Sequence, residues 1–146
     1  MSLRRRSLCV YGVGWGLAHQ VSAQHVPIDD LLQPYVGKQR VFKGRVQLDM
    51  ARLADNGFNV PLKVSVESPM TPQDYVSRLL LLSNRNPRPL IAAFAFGPAS
   101  DRVAIATRVR LGGSQTVYAL AQMSDGAWWL DTAEVEVTES ACLDQT

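Results

Sequence analysis

An immunoglobulin-like antiparallel β-sandwich, preceded by a short N-terminal helix, is the fold class predicted for this 146-residue chain. Two observations predict it. Apolar residues recur at every second position through most of the sequence, the period of a strand with one face buried. Clusters of Gly, Pro, Asn, Asp and Ser interrupt that pattern often enough for six or seven strands in about 100 residues. The length suits one domain with a single core. At 47% hydrophobic and 19% charged, the composition is that of an ordinary globular chain and argues against disorder or a membrane bundle.

Residues 1–23 read as a leader. Arg4, Arg5 and Arg6 start it, a mostly apolar run follows from Leu8 to Leu17, and Val21-Ser22-Ala23 is a small-residue cleavage site, so the mature chain is expected to begin at Gln24. The pair Arg5-Arg6 before Ser7-Leu8 resembles a twin-arginine signal, the type that exports folded proteins, and points to a periplasmic location. The apolar run is shorter than the 18 or more residues of a spanning helix, so no membrane role is expected. Cleavage takes three of the 15 basic residues and none of the 13 acidic ones, so the net charge falls from +2 to about −1. No Lys/Arg cluster persists in the mature chain, and nucleic acid is not an expected partner.

In the lead-in segment 24–40, Ile28 to Leu32 is expected to form a short helix that ends before Pro34. The sandwich domain is assigned to 41–138. Residues 41–48 read as its first strand, and Asp55-Asn56-Gly57 as a turn. The strand at 59–67 places Val60, Leu62, Val64 and Val66 on one face and Pro61, Lys63, Ser65 and Glu67 on the other. Pro61 donates no hydrogen bond, which puts it at an edge or with its nitrogen outward. Thr71-Pro72-Gln73-Asp74 reads as one helical turn leading into a strand at 75–82. After the loop Asn84 to Pro89, Leu90, Ala92, Phe94 and Phe96 alternate as a strand. Val103, Ile105, Thr107, Val109 and Leu111 form the next apolar face, with Arg108 and Arg110 on the opposite one. Gly112-Gly113 turns into Val117, Ala119, Ala121 and Met123, and Ser124-Asp125-Gly126 is a hairpin signal before the last strand, 128–137. Glu134, Glu136 and Glu139 mark that strand's wet face, while Trp128 and Trp129 point to opposite faces, one to the core and one toward a partner surface.

Residues 139–146 form a polar arm bearing Cys142, the only cysteine once Cys9 leaves with the leader. From the residues alone this thiol has two readings. It is a reactive attachment point, because an accessible thiolate forms reversible sulfur–sulfur bonds, or it is an inert tail thiol that pairs between chains. Enzyme chemistry has little support. His25 is the single histidine after cleavage, there is no metal-ligand spacing, and no glycine-rich phosphate loop, so no catalytic residue, cofactor or metal is assigned.

Val64-Ser65-Val66-Glu67-Ser68-Pro69-Met70-Thr71, then Tyr75-Val76, Asn86-Pro87, Thr107-Arg108-Val109-Arg110-Leu111, Gln115-Thr116-Val117 and Met123-Ser124-Asp125-Gly126, resemble in order and spacing the SoxY family of sulfur carriers in bacterial thiosulfate oxidation. The resemblance covers 55–142. It implies an immunoglobulin-like sandwich, a SoxZ-like partner subunit, and a noncatalytic role in which Cys142 is the covalent sulfur attachment point visited by periplasmic sulfur-oxidation enzymes of cytochrome and hydrolase type. Arg108 and Arg110 are candidates for a partner surface, although alternating charges on a strand also suit a solvated face. The arm departs from the family pattern. Where the family carries glycines on both sides of the cysteine, this chain has Ser140, Ala141, Leu143 and Asp144. Backbone freedom is reduced, Leu143 adds bulk beside the sulfur, and Asp144 disfavours a thiolate and an anionic adduct. An interaction module whose cysteine is incidental, or carries another cargo, is therefore the alternative reading.

Overall fold

The structure, a computed structural model, describes residues 25–139. The leader 1–23 and the arm residues Ser140, Ala141, Cys142, Leu143 and Asp144 lie outside the described residues. The elements in chain order are α1 (Ile28–Val36), β1 (Val41–Phe42), β2 (Val46–Met50), β3 (Leu53–Asn56), β4 (Val60–Val66), β5 (Val76–Ser83), β6 (Leu90–Ala95), β7 (Val103–Val109), β8 (Gln115–Met123) and β9 (Trp128–Glu139). One sheet has the order β1-β9-β8-β5-β6, with β3 added along the far half of β9, and the second has the order β2-β4-β7. The pairs β1–β9 and β3–β9 are parallel, and the others are antiparallel.

Beneath α1 the large sheet is covered on both faces, and β5 shows how. Leu79 and Leu81 enter the core between the sheets together with Val60, Leu62, Val64, Val117 and Ala119. Leu80 and Leu82, on the opposite face of the same strand, pack with Leu31, Leu32 and Val36 of α1 and with Trp128 and Leu130 of β9. Because successive side chains alternate, a strand buried on both faces reads as an unbroken apolar run rather than an alternation, which is why Leu79 to Leu82 carries either period. Each leucine taken wholly out of water there stabilises the fold by about 1.5–3 kcal/mol.

The sandwich and the strand alternation at β4 and β7 agree with the sequence reading; β8 puts Val117, Ala119, Ala121 and Met123 between the sheets as expected but buries Tyr118 and Leu120 on its other face, and in β6 a bulge leaves Leu90 exposed instead of sharing the inward face of Ala92 and Phe94, while four further local expectations are corrected. The helix passes through Pro34 and ends at Val36, with the Gly37 N–H donating to Gln33 O at 2.9 Å. Burial of Leu31, Leu32 and Val36 on one helical face outweighs the hydrogen bond that Pro34 removes. The expected strand 41–48 is two strands in different sheets. Gly44, at φ 119°, supplies the corner between them. Asp55 and Asn56 end β3 rather than forming a turn, and the bend lies at Gly57, where Phe58 N–H donates to Asn56 Oδ1 at 3.2 Å. Thr71 to Asp74 is a turn and not helical: Asp74 N–H donates to Thr71 Oγ1, and Thr71 and Asp74 exchange backbone hydrogen bonds. Pro61 stands just beyond the last β2–β4 pair, Met50 and Leu62, where only β7 continues beside β4. With β1 and β3 included, the described residues hold nine strands.

Candidate functional site: the root of the C-terminal arm

Strand β9 carries the chain toward Cys142, and its two edges are held by different means. Along its first eight residues β8 pairs with it, from Gln122 opposite Trp128 to Gln115 opposite Val135. Where β8 ends, the side chain of Ser114 takes over: Val137 N–H donates to Ser114 Oγ at 2.9 Å, and the hydroxyl lies 3.4 Å from Val137 O. On the other edge β3 pairs with Glu136, Val137 and Glu139. Glu136 N–H donates to Arg52 O at 2.8 Å, Gly57 N–H donates to Glu139 O at 2.7 Å, and Thr138 Oγ1 donates to Asp55 O. The ladder thus reaches the last described residue, Glu139, three positions before Cys142.

The surroundings of this root combine apolar and charged groups. Phe58 and Leu53 are exposed by 48% and 57%, and the Arg110 guanidinium lies 5.9 Å from the Phe58 ring centroid. Leu111 N–H donates to Gly57 O at 2.8 Å, which ties the Arg110 segment to the bend beneath the root. Asn86 fixes that segment from the other side, donating from Nδ2 to Arg110 O at 2.9 Å and accepting at Oδ1 from Gly112 N–H and Gln115 Nε2, both at 3.0 Å. Gln115 also contacts Ser83 Oγ, so a buried polar network joins β5, β8 and the loop after β5. At φ 136°, Gly113 leaves room for Arg85, whose guanidinium carbon lies 3.0 Å from where a Cβ would stand, while Arg85 Nη1 donates to Ser114 O at 3.0 Å.

Of the sequence-derived candidates, Arg110 is brought to the arm root through Phe58, whereas Arg108 is exposed on β7 opposite Pro61. Cys142 and its neighbours Ser140, Ala141, Leu143 and Asp144 lie outside the described residues. Sequence reasoning did not single out Ser114, Phe58 or β3. A four-residue strand carries too little period to detect, and a hydroxyl that extends a ladder has no local signature. Trp128 is buried against α1, and Trp129 is half-buried, with its ring 5.3 Å from Phe42 and Arg45 at 5.2 Å. Glu134 and Glu136 share the exposed face of β9, while Glu139, also exposed, alternates onto the face of Val135 and Val137.

The segments that carried the family resemblance occupy the two ends of the sandwich. At one end Ser68 Oγ donates to Asp74 O at 3.1 Å, and Tyr75 N–H donates to Ser124 Oγ at 3.1 Å. At the other end lie Asn86, Arg110 and Gln115, beside the arm root. The family model described as sulfur oxidation protein SoxY matches residues 32–142. The chain belongs to the SoxY family. The match takes in every element from within α1 to β9 and ends on Cys142. Among solved structures, the sulfur carrier protein SoxY from Chlorobium limicola f thiosulfatophilum superposes with a TM-score of 0.63 at 22% identity, covering 75% of this chain and 94% of that one. Superoxide reductases share the fold as well. The neelaredoxin from Ignicoccus hospitalis gives a TM-score of 0.54 at 15% identity over 66% of this chain and 94% of that one. The enzyme from Nanoarchaeum equitans gives 0.54 at 11% identity over 66% and 100%. At these identities the likenesses establish the fold alone. No curated protein matches the chain. Among the described residues no group of three or more His, Cys, Asp and Glu side chains is placed to hold a metal.

Proposed function

We propose that the protein is a periplasmic sulfur carrier, exported by its leader, which holds thiosulfate-derived sulfur covalently on Cys142 and presents it to sulfur-oxidising enzymes as the heterodimeric partner of a SoxZ-like subunit. The observation that carries this reading is the family match that ends on Cys142, together with a root hydrogen-bonded as far as Glu139. Covalent geometry keeps the Cys142 Cα within about 11 Å of that of Glu139. A short arm on a fixed base is what a carrier needs, since the base is recognised while the tip enters a cleft.

The chemistry balances as an oxidation. The Cys142 thiol loses its proton, a sulfur–sulfur bond forms to the outer sulfur of thiosulfate, and two electrons pass to an acceptor of cytochrome type. The product is a cysteine S-thiosulfonate. The carrier supplies the nucleophile and the address, and the enzymes supply the redox and hydrolytic groups, so no catalytic site of its own is assigned.

Intact mass of the protein recovered from cells given thiosulfate, with and without reductant, tests this directly. A reductant-labile thiosulfonate or sulfur adduct is expected on wild type and none on Cys142→Ser, with thermal stability unchanged. An unmodified thiol in cells actively oxidising thiosulfate refutes it. A second reading, an interaction module whose cysteine is incidental or carries another cargo, is favoured by one observation: Ser140, Ala141, Leu143 and Asp144 replace the glycines of the family arm. Under that reading Cys142→Ser leaves partner binding and sulfur oxidation unaltered. Replacing Ala141 and Leu143 with glycine distinguishes a carrier with a restricted arm, whose loading rises, from a module indifferent to the change.

A further inference from the structure

Gly57 is hydrogen-bonded in two directions, through its N–H to Glu139 O at 2.7 Å and through its C=O to Leu111 N–H at 2.8 Å. Two such steps keep the backbone of Leu111 within roughly 10 Å of the last described residue of β9. Arg110, beside Leu111, and Phe58, beside Gly57, are both exposed, with the guanidinium 5.9 Å from the ring centroid. That guanidinium makes no hydrogen bond or ion pair with another described residue, so its N–H donors are open. An aromatic face steadies a cation without occupying those donors.

The acids around the root repel an anion. Asp55, Glu136 and Glu139 are exposed there, and Asp144 follows the cysteine in sequence. Arg52, just before β3, borders a cleft of about 370 Å³ together with Arg85, Glu134 and Glu136, so carboxylates offset its charge. Arg110 is the guanidinium beside the root that no described carboxylate pairs. An anionic group joined to Cys142 can reach it, because the Cys142 Cα stays within about 11 Å of that of Glu139 and both side chains extend the span. A sulfonate offers three oxygens, two of which fit the fork of a guanidinium.

We infer that Arg110, seated on Phe58, is a holding site for the anionic end of the cargo: its guanidinium binds the terminal sulfonate of a Cys142 thiosulfonate and parks the loaded arm against its root. Arg110 is then a positioning residue that touches the cargo without taking part in the chemistry, and Phe58 keeps the guanidinium on the arm's side of β7. The inference rests on the carrier reading for its ligand. It places a cation where Asp144 and the root acids would otherwise drive the loaded arm away from the domain.

Loading the purified protein with tetrathionate, followed by NMR, tests it without any partner enzyme. The Cys142 thiolate attacks a central sulfur of tetrathionate, the central sulfur–sulfur bond breaks, thiosulfate leaves with the bonding pair, and a thiosulfonate remains on the cysteine. The Arg110 Nε–H and Phe58 ring signals are expected to shift on loading and to lose most of that shift in about 0.5 M salt. Neither moves when Cys142 carries a neutral carbamidomethyl group, nor in Cys142→Ser. Arg110→Gln abolishes the Phe58 response and Arg110→Lys restores part of it, while the Val137 amide keeps its position in every variant. No loading-dependent shift at Arg110, or an equal shift with the neutral group, overturns the inference. So does an Arg110 signal that Asp144→Asn moves before loading and that loading moves no further, which assigns the corner to the arm's own carboxylate. Because the adduct is made in vitro, either failure leaves the carrier reading standing, whereas an unmodified Cys142 in cells oxidising thiosulfate refutes the carrier reading whatever Arg110 does.

Discussion

The two halves of β9 serve different ends with the same backbone. In the first, Trp128 and Leu130 are buried beneath α1, and their neighbours across the sheet, Leu80, Leu82, Tyr118 and Leu120, complete that core. In the second, α1 no longer covers the sheet, the same face carries exposed Glu134, Glu136 and Thr138, and the strand is held by hydrogen bonds from β3 and Ser114. The first half anchors by excluding water, which is strong and without direction. The second half positions by hydrogen bonds, which are individually weak but fix where the chain points on leaving Glu139. The proposed presentation of Cys142 calls for both, in that order along the chain.

Substitutions in the two halves break or sharpen this contrast. The largest effect is expected from Trp128→Ala, which empties the centre of the α1-side core and costs about 3–5 kcal/mol in urea unfolding. A much smaller change is expected from Ser114→Ala. It removes the acceptor for Val137 N–H and costs about 1 kcal/mol. Its clearer signature is local, as faster exchange of the Val137 amide while the Leu130 amide is unaffected. The smallest effect belongs to Glu136→Ala, on the uncovered face, which stays within about 0.5 kcal/mol of wild type. If Glu136→Ala proved as damaging as Trp128→Ala, the division of the strand into an anchoring half and a positioning half would be wrong.

The period-two pattern was legible wherever one face of a strand meets the core, as in β4, where Val60, Leu62, Val64 and Val66 alternate with exposed or half-buried neighbours. It was not legible in β5, because the pattern vanishes when α1 buries the second face. Pro34 misled because proline's local cost was weighed without the burial of Val36, which is available only once the sheet is in place. Strand β3 escaped notice because four residues hold no measurable period, and its pairing partner lies about 80 residues further on. At the candidate site, Arg110 was visible as a residue, but its place beside the arm root depends on Phe58, Gly57 and Asn86.

Local chemistry therefore determined the sandwich class, the turns at Gly112-Gly113 and Ser124-Asp125-Gly126, and the position of the one cysteine in the arm, since each follows from residues close in sequence. Only the tertiary structure decided that β1 and β3 both line β9, that α1 roofs half of that strand, and that β6 ends the large sheet among the described residues. Those outcomes depend on pairings between distant segments, whose energies arise only when both partners are folded.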